Sequence, residues 1–177
     1  AEAIRAQLTA HPGNAMVFFP SYAYLSRVDA LLAAEGVPGA AILREARGLT
    51  EEEKNALLGA FDKRDGRMVL LAVLGGAFAE GVDLAGERLQ NVIVVSTGLP
   101  QMDARVRAMR RYHDESGADG AFLCMTLPGM VRVIQSAGRL IRTQSDHGAL
   151  LLIDSRYQRG AERALLSGTL IGDALSG

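Results

Sequence analysis

Two stretches of the chain, Arg67 to Leu74 (RMVLLAVL) and Asn91 to Thr97 (NVIVVST), are almost unbroken runs of apolar residues. A strand with one wet face alternates apolar and polar side chains. An unbroken run therefore marks a strand covered on both faces, which is the condition of a parallel sheet with helices packed on either side. The rest of the chain supplies those helices and further strands. Ala15 to Phe19 (AMVFF) is a short β-type run stopped by Pro20, and Ser21 then stands as N-cap to a helical pattern of Tyr24, Leu25, Val28, Leu31 and Leu32. Gly36, Pro38 and Gly39 break that helix, and Ala41 to Arg44 reads as a second strand. Thr50 with Glu53 three residues later forms a capping box for a helix through about Phe61. A charged helix is expected between Asp103 and Ser116, another from Val131 to Arg142, and a last buried strand over Gly148 to Asp154. The order βαβαββααβ predicts an open, mainly parallel α/β sheet with helices on both faces and ligands at the carboxyl ends of its strands. At 177 residues and 49% hydrophobic content the chain suits one domain over 1–177, and its Gly- and Ser-rich end, 160–177, is expected to fray.

Composition narrows the function classes. Lysine and arginine total 19 against 20 acidic residues, a net charge of −1, so any contact with nucleic acid has to come from a local cluster. Cys124 is the single cysteine, and His11, His113 and His147 lie far apart without ligand spacing. That removes disulfide frameworks and ordinary zinc or iron–sulfur motifs, predicts no metal site in the chain, and fits a reducing cytoplasm. The longest uncharged stretches, such as Met68 to Ala79 and Gly120 to Val131, fall short of the ~20 residues a membrane helix needs, and no basic flank precedes an apolar leader. The expectation is a soluble protein with no membrane partner.

Two segments carry candidate chemistry. On a continuous helix, Arg132, Gln135, Arg139 and Arg142 fall at i, i+3, i+7 and i+10 and make one polar stripe, with Val133, Ile134, Ala137, Leu140 and Ile141 on the opposing faces. Guanidinium groups fit phosphate oxygens bidentately, and a rigid helix holds them where charge builds up in phosphoryl transfer. Gly138 is expected to let another backbone approach. The same spacing also describes a solvated arginine face. The second segment, Gly76 to Gly86 (GAFAEGVDLAG), follows a buried strand and brings Glu80, Gly81 and Asp83 into a glycine-rich loop, which serves either to cradle a phosphate or simply to connect strands tightly.

Three blocks together resemble a known family. VFFPSY at Val17 to Tyr22 (motif IV, about 17–24), GGAFAEGVDLAGERL at Gly75 to Leu89 (motif V, 75–89) and VIQSAGRLIRTQSDHGALLLIDSR at Val133 to Arg156 (motif VI, about 133–148) resemble helicase motifs of the XPD/DinG group of superfamily 2, in matching order and spacing. STGLPQ at Ser96 to Gln101 and LPGM at Leu127 to Met130 resemble the bacterial branch, and the resemblance spans roughly Pro12 to Tyr157. It implies a RecA-like (P-loop NTPase-type) second motor domain of a DNA helicase moving 5′ to 3′ on single strands. Position by position, Arg139 and Arg142 match the motif VI arginines that reach the ATP phosphates across the domain cleft, Arg142 being the finger, and Gln135 matches the motif's amide. Glu80, Gly81 and Asp83 match residues that couple the nucleotide to the DNA track. Ser21, Tyr22 and Gly76 match positions near the DNA backbone, although Tyr22 and Tyr24 also fit simple packing of the helix on the sheet.

The chain holds only Lys54 and Lys63, followed by Asn55 and Arg64, so there is no GK[ST] phosphate loop, and no Walker B box ends an apolar strand. Asp114-Glu115 falls in a charged helical stretch. The four-cysteine cluster common in the resembling proteins is missing too. All of these belong to the first motor domain of that group, which points to a piece of a longer enzyme that binds ATP and Mg²⁺ only with its partner domain. An iron–sulfur cluster would belong to that N-terminal part. The expected partners are single-stranded DNA and the first RecA-like domain of the same polypeptide. Two rival readings are a non-catalytic nucleic-acid or protein-binding module with a RecA-like shell, and a stand-alone α/β enzyme whose glycine loop binds another nucleotide.

Overall fold

The expected strands form as β1 (Ala15–Phe19), β2 (Ala40–Arg44), β3 (Arg67–Val73), β4 (Asn91–Val95) and β5 (Ala149–Ile153) in a computed structural model that describes residues 1–62, 66–78, 82, 84, 88–140 and 147–169. Among the described residues they make one wholly parallel sheet in the order β2-β3-β1-β4-β5. Val17 at the centre of β1 sits opposite Leu71 on one side and Ile93 on the other. Position explains the run lengths: β1, β3 and β4 have a strand on each side and are buried almost throughout, whereas β2 and β5 are edges. The last strand was expected to be buried. All of β5 is instead half-buried, because it pairs with β4 alone.

Alternate side chains of the buried strands enter two different cores, as a period of two requires. Val17, Phe19, Val69, Leu71, Ile93 and Val95 pack with Ile4 and Leu8 of α1 (Glu2–Ala10) and with Leu25, Val28 and Leu32 of α2 (Tyr22–Glu35). Met16, Phe18, Leu70, Ala72, Val92 and Val94 face the other way, onto Leu57 of α3 (Glu51–Gly59), Met130 and Val133 of α5 (Leu127–Ala137) and Leu166 of α6 (Gly160–Thr169). The chain leaves β1 toward one edge and β4 toward the other, so their carboxyl ends flank a topological switch point, where open α/β sheets bind ligands.

Local signals set most of the helix ends. The Ser21 side chain accepts the Tyr24 N–H at 3.2 Å, and Gly36, at φ +73°, ends α2. Thr50 and Glu53 form the expected capping box, and α3 gives way after Gly59 to a 3₁₀ turn, Ala60–Asp62, that drops Phe61 into the core. Asp103 caps α4 (Ala104–Glu115), which has no buried residue. Ahead of α5 the helix widens into a π-turn over Phe122–Thr126, in which the Leu127 N–H reaches back to Phe122 O. Pro128 follows immediately. It has no N–H to give, and its ring would crowd the carbonyl four residues back in an ordinary α-turn; the wider register relieves both.

The helix expected to run from Val131 to Arg142 starts earlier and stops at Ala137. Gly138, a poor helix former, donates to Ile134 O at 2.8 Å, after which Leu140 N–H reaches back only three residues, to Ala137 O at 3.0 Å. That tightening turns Leu140 into the core, where it lies against Gly148. Among the described residues, a Cβ on Gly138 would meet only carbonyls of its own helix within 4 Å, not the backbone of another element. At the other end of the sheet a 3₁₀ turn, Ser155–Gln158, leads into α6, so residues 160–169 of the segment expected to fray are helical, with Leu166 1% exposed; residues 170–177 lie outside the described residues.

Candidate functional site

The carboxyl end of β2 is followed by Glu45, a carboxylate only 3% exposed. Its Oε2 accepts the Val73 N–H at 2.8 Å, and its Oε1 accepts both the Ala77 N–H at 2.7 Å and the Tyr22 hydroxyl at 2.7 Å. A buried anion is tolerated when it gathers donors in this way. The result ties the start of α2, the end of β2 and the turn after β3 into one junction. Gly76 lies directly against the carboxylate, so that a Cβ there would overlap Oε1. Burial first, then the hydrogen bond to Glu45, pushes the Tyr22 phenol up to about 12. The Arg47 guanidinium lies over the same ring, 4.4 Å from its centroid.

Beside this junction a cleft of ≈ 830 Å³ opens between α3, the turn after β3 and α5, lined among others by Lys54, Gly75, Gly76, Pro128, Arg132 and Gln135. Arg132 Nη1 donates to Gly98 O at 3.3 Å, and its side chain runs 3.4 to 3.7 Å from where a Cβ on Gly75 would stand. It therefore bridges the turns after β3 and β4. Those turns are close to α5 because Gly129 carries no side chain: a Cβ there would fall 3.1 Å from Leu99 N and closer still to Thr97 O. With two cations and an amide on its walls, the cleft suits an anion.

At the ends of β4 and β5, Ser96 adopts φ +72°, the single positive φ of a non-glycine residue among those described. Its carbonyl accepts the Tyr157 hydroxyl at 2.5 Å, and its Oγ accepts Arg156 Nη2 at 3.3 Å. Hydrogen bonds from Arg156, including Nη2 at 2.7 Å, hold the Asp154 carboxyl below its usual range. This cluster clamps the turn that carries Gly98.

The site residues expected from sequence are dispersed differently from a single stripe. Gln135 and Arg132 share the cleft, but Arg139 lies past the helix end, 7% exposed, with Nη1 donating to Val82 O at 3.1 Å. Ser21 is committed to its cap, Tyr22 to Glu45, and Gly76 to the space beside that carboxylate. Tyr24 stacks on Phe19 with centroids 5.9 Å apart, which is packing on the sheet. Arg142, Glu80, Gly81 and Asp83 lie outside the described residues. Glu45, Arg47 and Lys54 were not expected; the one local hint was a charged residue directly at a strand's carboxyl end. Among the described residues no cluster of three or more His, Cys, Asp or Glu suits a metal ion, and no helix is long and apolar enough to cross a membrane.

Comparison with known proteins agrees with this architecture. The model of the helicase C-terminal domain matches residues 4–170. The chain is 33% identical over 172 residues to the regulator of telomere elongation helicase 1 homolog of Anopheles gambiae, covering 88% of this chain and 17% of that protein. It is 29% identical over 179 residues to the ATP-dependent DNA helicase chl-1 of Caenorhabditis elegans, covering 98% and 21%. A probable ATP-dependent helicase of Methanocaldococcus jannaschii is 31% identical over 168 residues, covering 85% and 24%. The chain thus spans about a fifth of the length of these curated relatives, which come from an insect, a nematode and an archaeon and lend no support to a bacterial branch in particular. Among solved structures, apo XPD superposes with a TM-score of 0.72 at 20% identity over 93% of this chain and 33% of that one. Domain 2 of the DEAD-box helicase Mss116p, bound to an RNA duplex, gives 0.52 at 15% identity over 99% and 63%. These likenesses establish a RecA-like helicase fold.

Proposed function

This chain belongs to the helicase C-terminal domain family, and from that premise we propose that it is the second motor domain of an ATP-dependent 5′ to 3′ DNA helicase. The observation that carries the reading is the cleft at the carboxyl edge, where Lys54, Arg132 and Gln135 converge beside the glycine turn of motif V. Charged and amide donors at that edge serve phosphates, whether of a nucleotide or of a strand. Arg142 supplies the finger, an always-charged group that stabilises the charge developing as the γ-phosphoryl is transferred. Arg139, through its bond to Val82 O, ties the end of α5 to motif V, and Gln135 supplies the motif's amide. Glu80, Gly81 and Asp83 couple the nucleotide to the strand, and Ser21, Tyr22 and Gly76 stand along the strand's path.

The phosphate loop and the ligands of the Mg²⁺ that accompanies ATP are assigned to the first motor domain. ATP hydrolysis then requires both domains, in a cytoplasmic protein whose nucleic-acid partner is single-stranded DNA.

The test is Arg142→Ala in the complete protein, read as DNA-stimulated ATPase. An arginine finger is worth ~10³ to 10⁵ in rate, so most of the stimulated turnover should vanish. Near-normal turnover would remove Arg142 from that role.

A further inference from the structure

Arg47 is exposed, sits three residues beyond β2, and makes no hydrogen bond or ion pair with any described residue. Several other arginines behave differently: Arg5 pairs with Glu35, Arg44 with Asp29, Arg110 with Asp114 and Arg156 with Asp154. The carboxylate nearest to Arg47 in sequence is already spent, since both oxygens of Glu45 are taken by Tyr22, Val73 and Ala77. What Arg47 does contact is the face of the Tyr22 ring, at 4.4 Å from guanidinium carbon to centroid.

Stacking of this kind occupies the flat face of the guanidinium and leaves the N–H donors on its rim. The platform beneath is rigid. Tyr22 is the first residue of α2, its hydroxyl is held by a buried carboxylate, and that carboxylate rests against Gly76, which lines the cleft. A planar fork of donors, oriented in advance and without an internal acid partner, matches the paired oxygens of a phosphodiester. The Tyr22 hydroxyl, by contrast, is already used as a donor and is not offered to a strand.

We propose that Arg47, seated on the Tyr22 ring, contacts a backbone phosphate of single-stranded nucleic acid, with Tyr22 and Glu45 as its positioning residues. This rests on the helicase reading above and adds a contact that the family motifs did not supply.

The experiment measures binding of the complete protein to a labelled oligothymidylate across a salt series from about 50 to 200 mM, and in parallel its binding of ATP. Removing one single-strand phosphate contact lowers the slope of log K against log salt by about 0.7. Arg47→Ala should show that loss with ATP affinity unchanged. Arg47→Lys, which keeps the charge without the stacked fork, should restore the slope but only part of the affinity. Tyr22→Phe keeps the ring and should keep the slope. An Arg47→Ala slope equal to wild type overturns the inference, as does a loss confined to ATP binding. A wild-type protein with no salt-dependent oligothymidylate binding would instead overturn the helicase reading itself. Arg47 is exposed, so an unaltered urea midpoint in Arg47→Ala keeps the comparison free of unfolding.

Discussion

Replacing Gly76 with alanine tests the junction around Glu45. Gly76 does not require a left-handed backbone, so alanine fits its conformation and the whole effect is steric. The new Cβ would overlap Glu45 Oε1 and lie 2.9 Å from both Cδ and Oε2. Glu45 is not free to yield, because Tyr22, Ala77 and Val73 hold its two oxygens at 2.7, 2.7 and 2.8 Å. Breaking one hydrogen bond to a buried charge costs about 1.5–3 kcal/mol, and forcing an extra methyl into a packed site about 1–3 kcal/mol. Against these stands about 0.4–1 kcal/mol from the smaller entropy of the unfolded chain. The net expectation is a loss of about 1.5–5.5 kcal/mol. The decisive measurement is a double-mutant cycle by urea unfolding, followed by far-UV circular dichroism because the chain has no tryptophan. Glu45→Ala destabilises by itself, but once the carboxylate is gone the Gly76 methyl has nothing to strike, and its cost should fall to within ~0.5 kcal/mol of zero. Full additivity of the two substitutions would refute the claim that Gly76 is glycine for the sake of Glu45.

Arg139→Ala should lower the unfolding free energy of the chain, read by urea titration without nucleotide, by about 1–3 kcal/mol, since it takes a donor from the buried Val82 carbonyl; an unchanged midpoint would deny Arg139 a structural share. Gly129→Ala should destabilise strongly, because its Cβ would meet backbone atoms of Thr97 and Leu99, whereas Gly168→Ala, within α6 and with nothing inside 4 Å, should stabilise by about 0.5–1 kcal/mol; equal effects in unfolding curves would contradict the packing of α5 on the β4 turn. Tyr22 has its phenol raised from 10.0 to about 12, so it contributes stability that is fully present below pH 10 and lost as pH rises through about 12. Tyr22→Phe should therefore flatten part of the alkaline limb of a stability-against-pH series, leaving a remainder of the same sign from Tyr157, which burial also raises; an alkaline limb identical to wild type would sink this assignment.

The sequence alone settled whatever depends on neighbours along the chain. The apolar runs marked β1, β3 and β4, and Ser21 and Thr50 with Glu53 cap the helices they were expected to cap, because a cap joins residues only a turn apart. Three motifs in register identified the family for the same reason: they are read in order. The tertiary structure decided what depends on strand order and burial. Glu45 reads as one more charge after Arg44 until the order β2-β3-β1 brings Val73, Ala77 and Tyr22 around it. The spacing of Arg132, Gln135 and Arg139 is helical in the sequence, yet α5 ends at Ala137 because Leu140 and Arg139 find partners inside the protein. The apolar ALLLI of β5 looks central and is an edge, since periodicity reports which faces of a strand are covered but carries no record of how many neighbours it has.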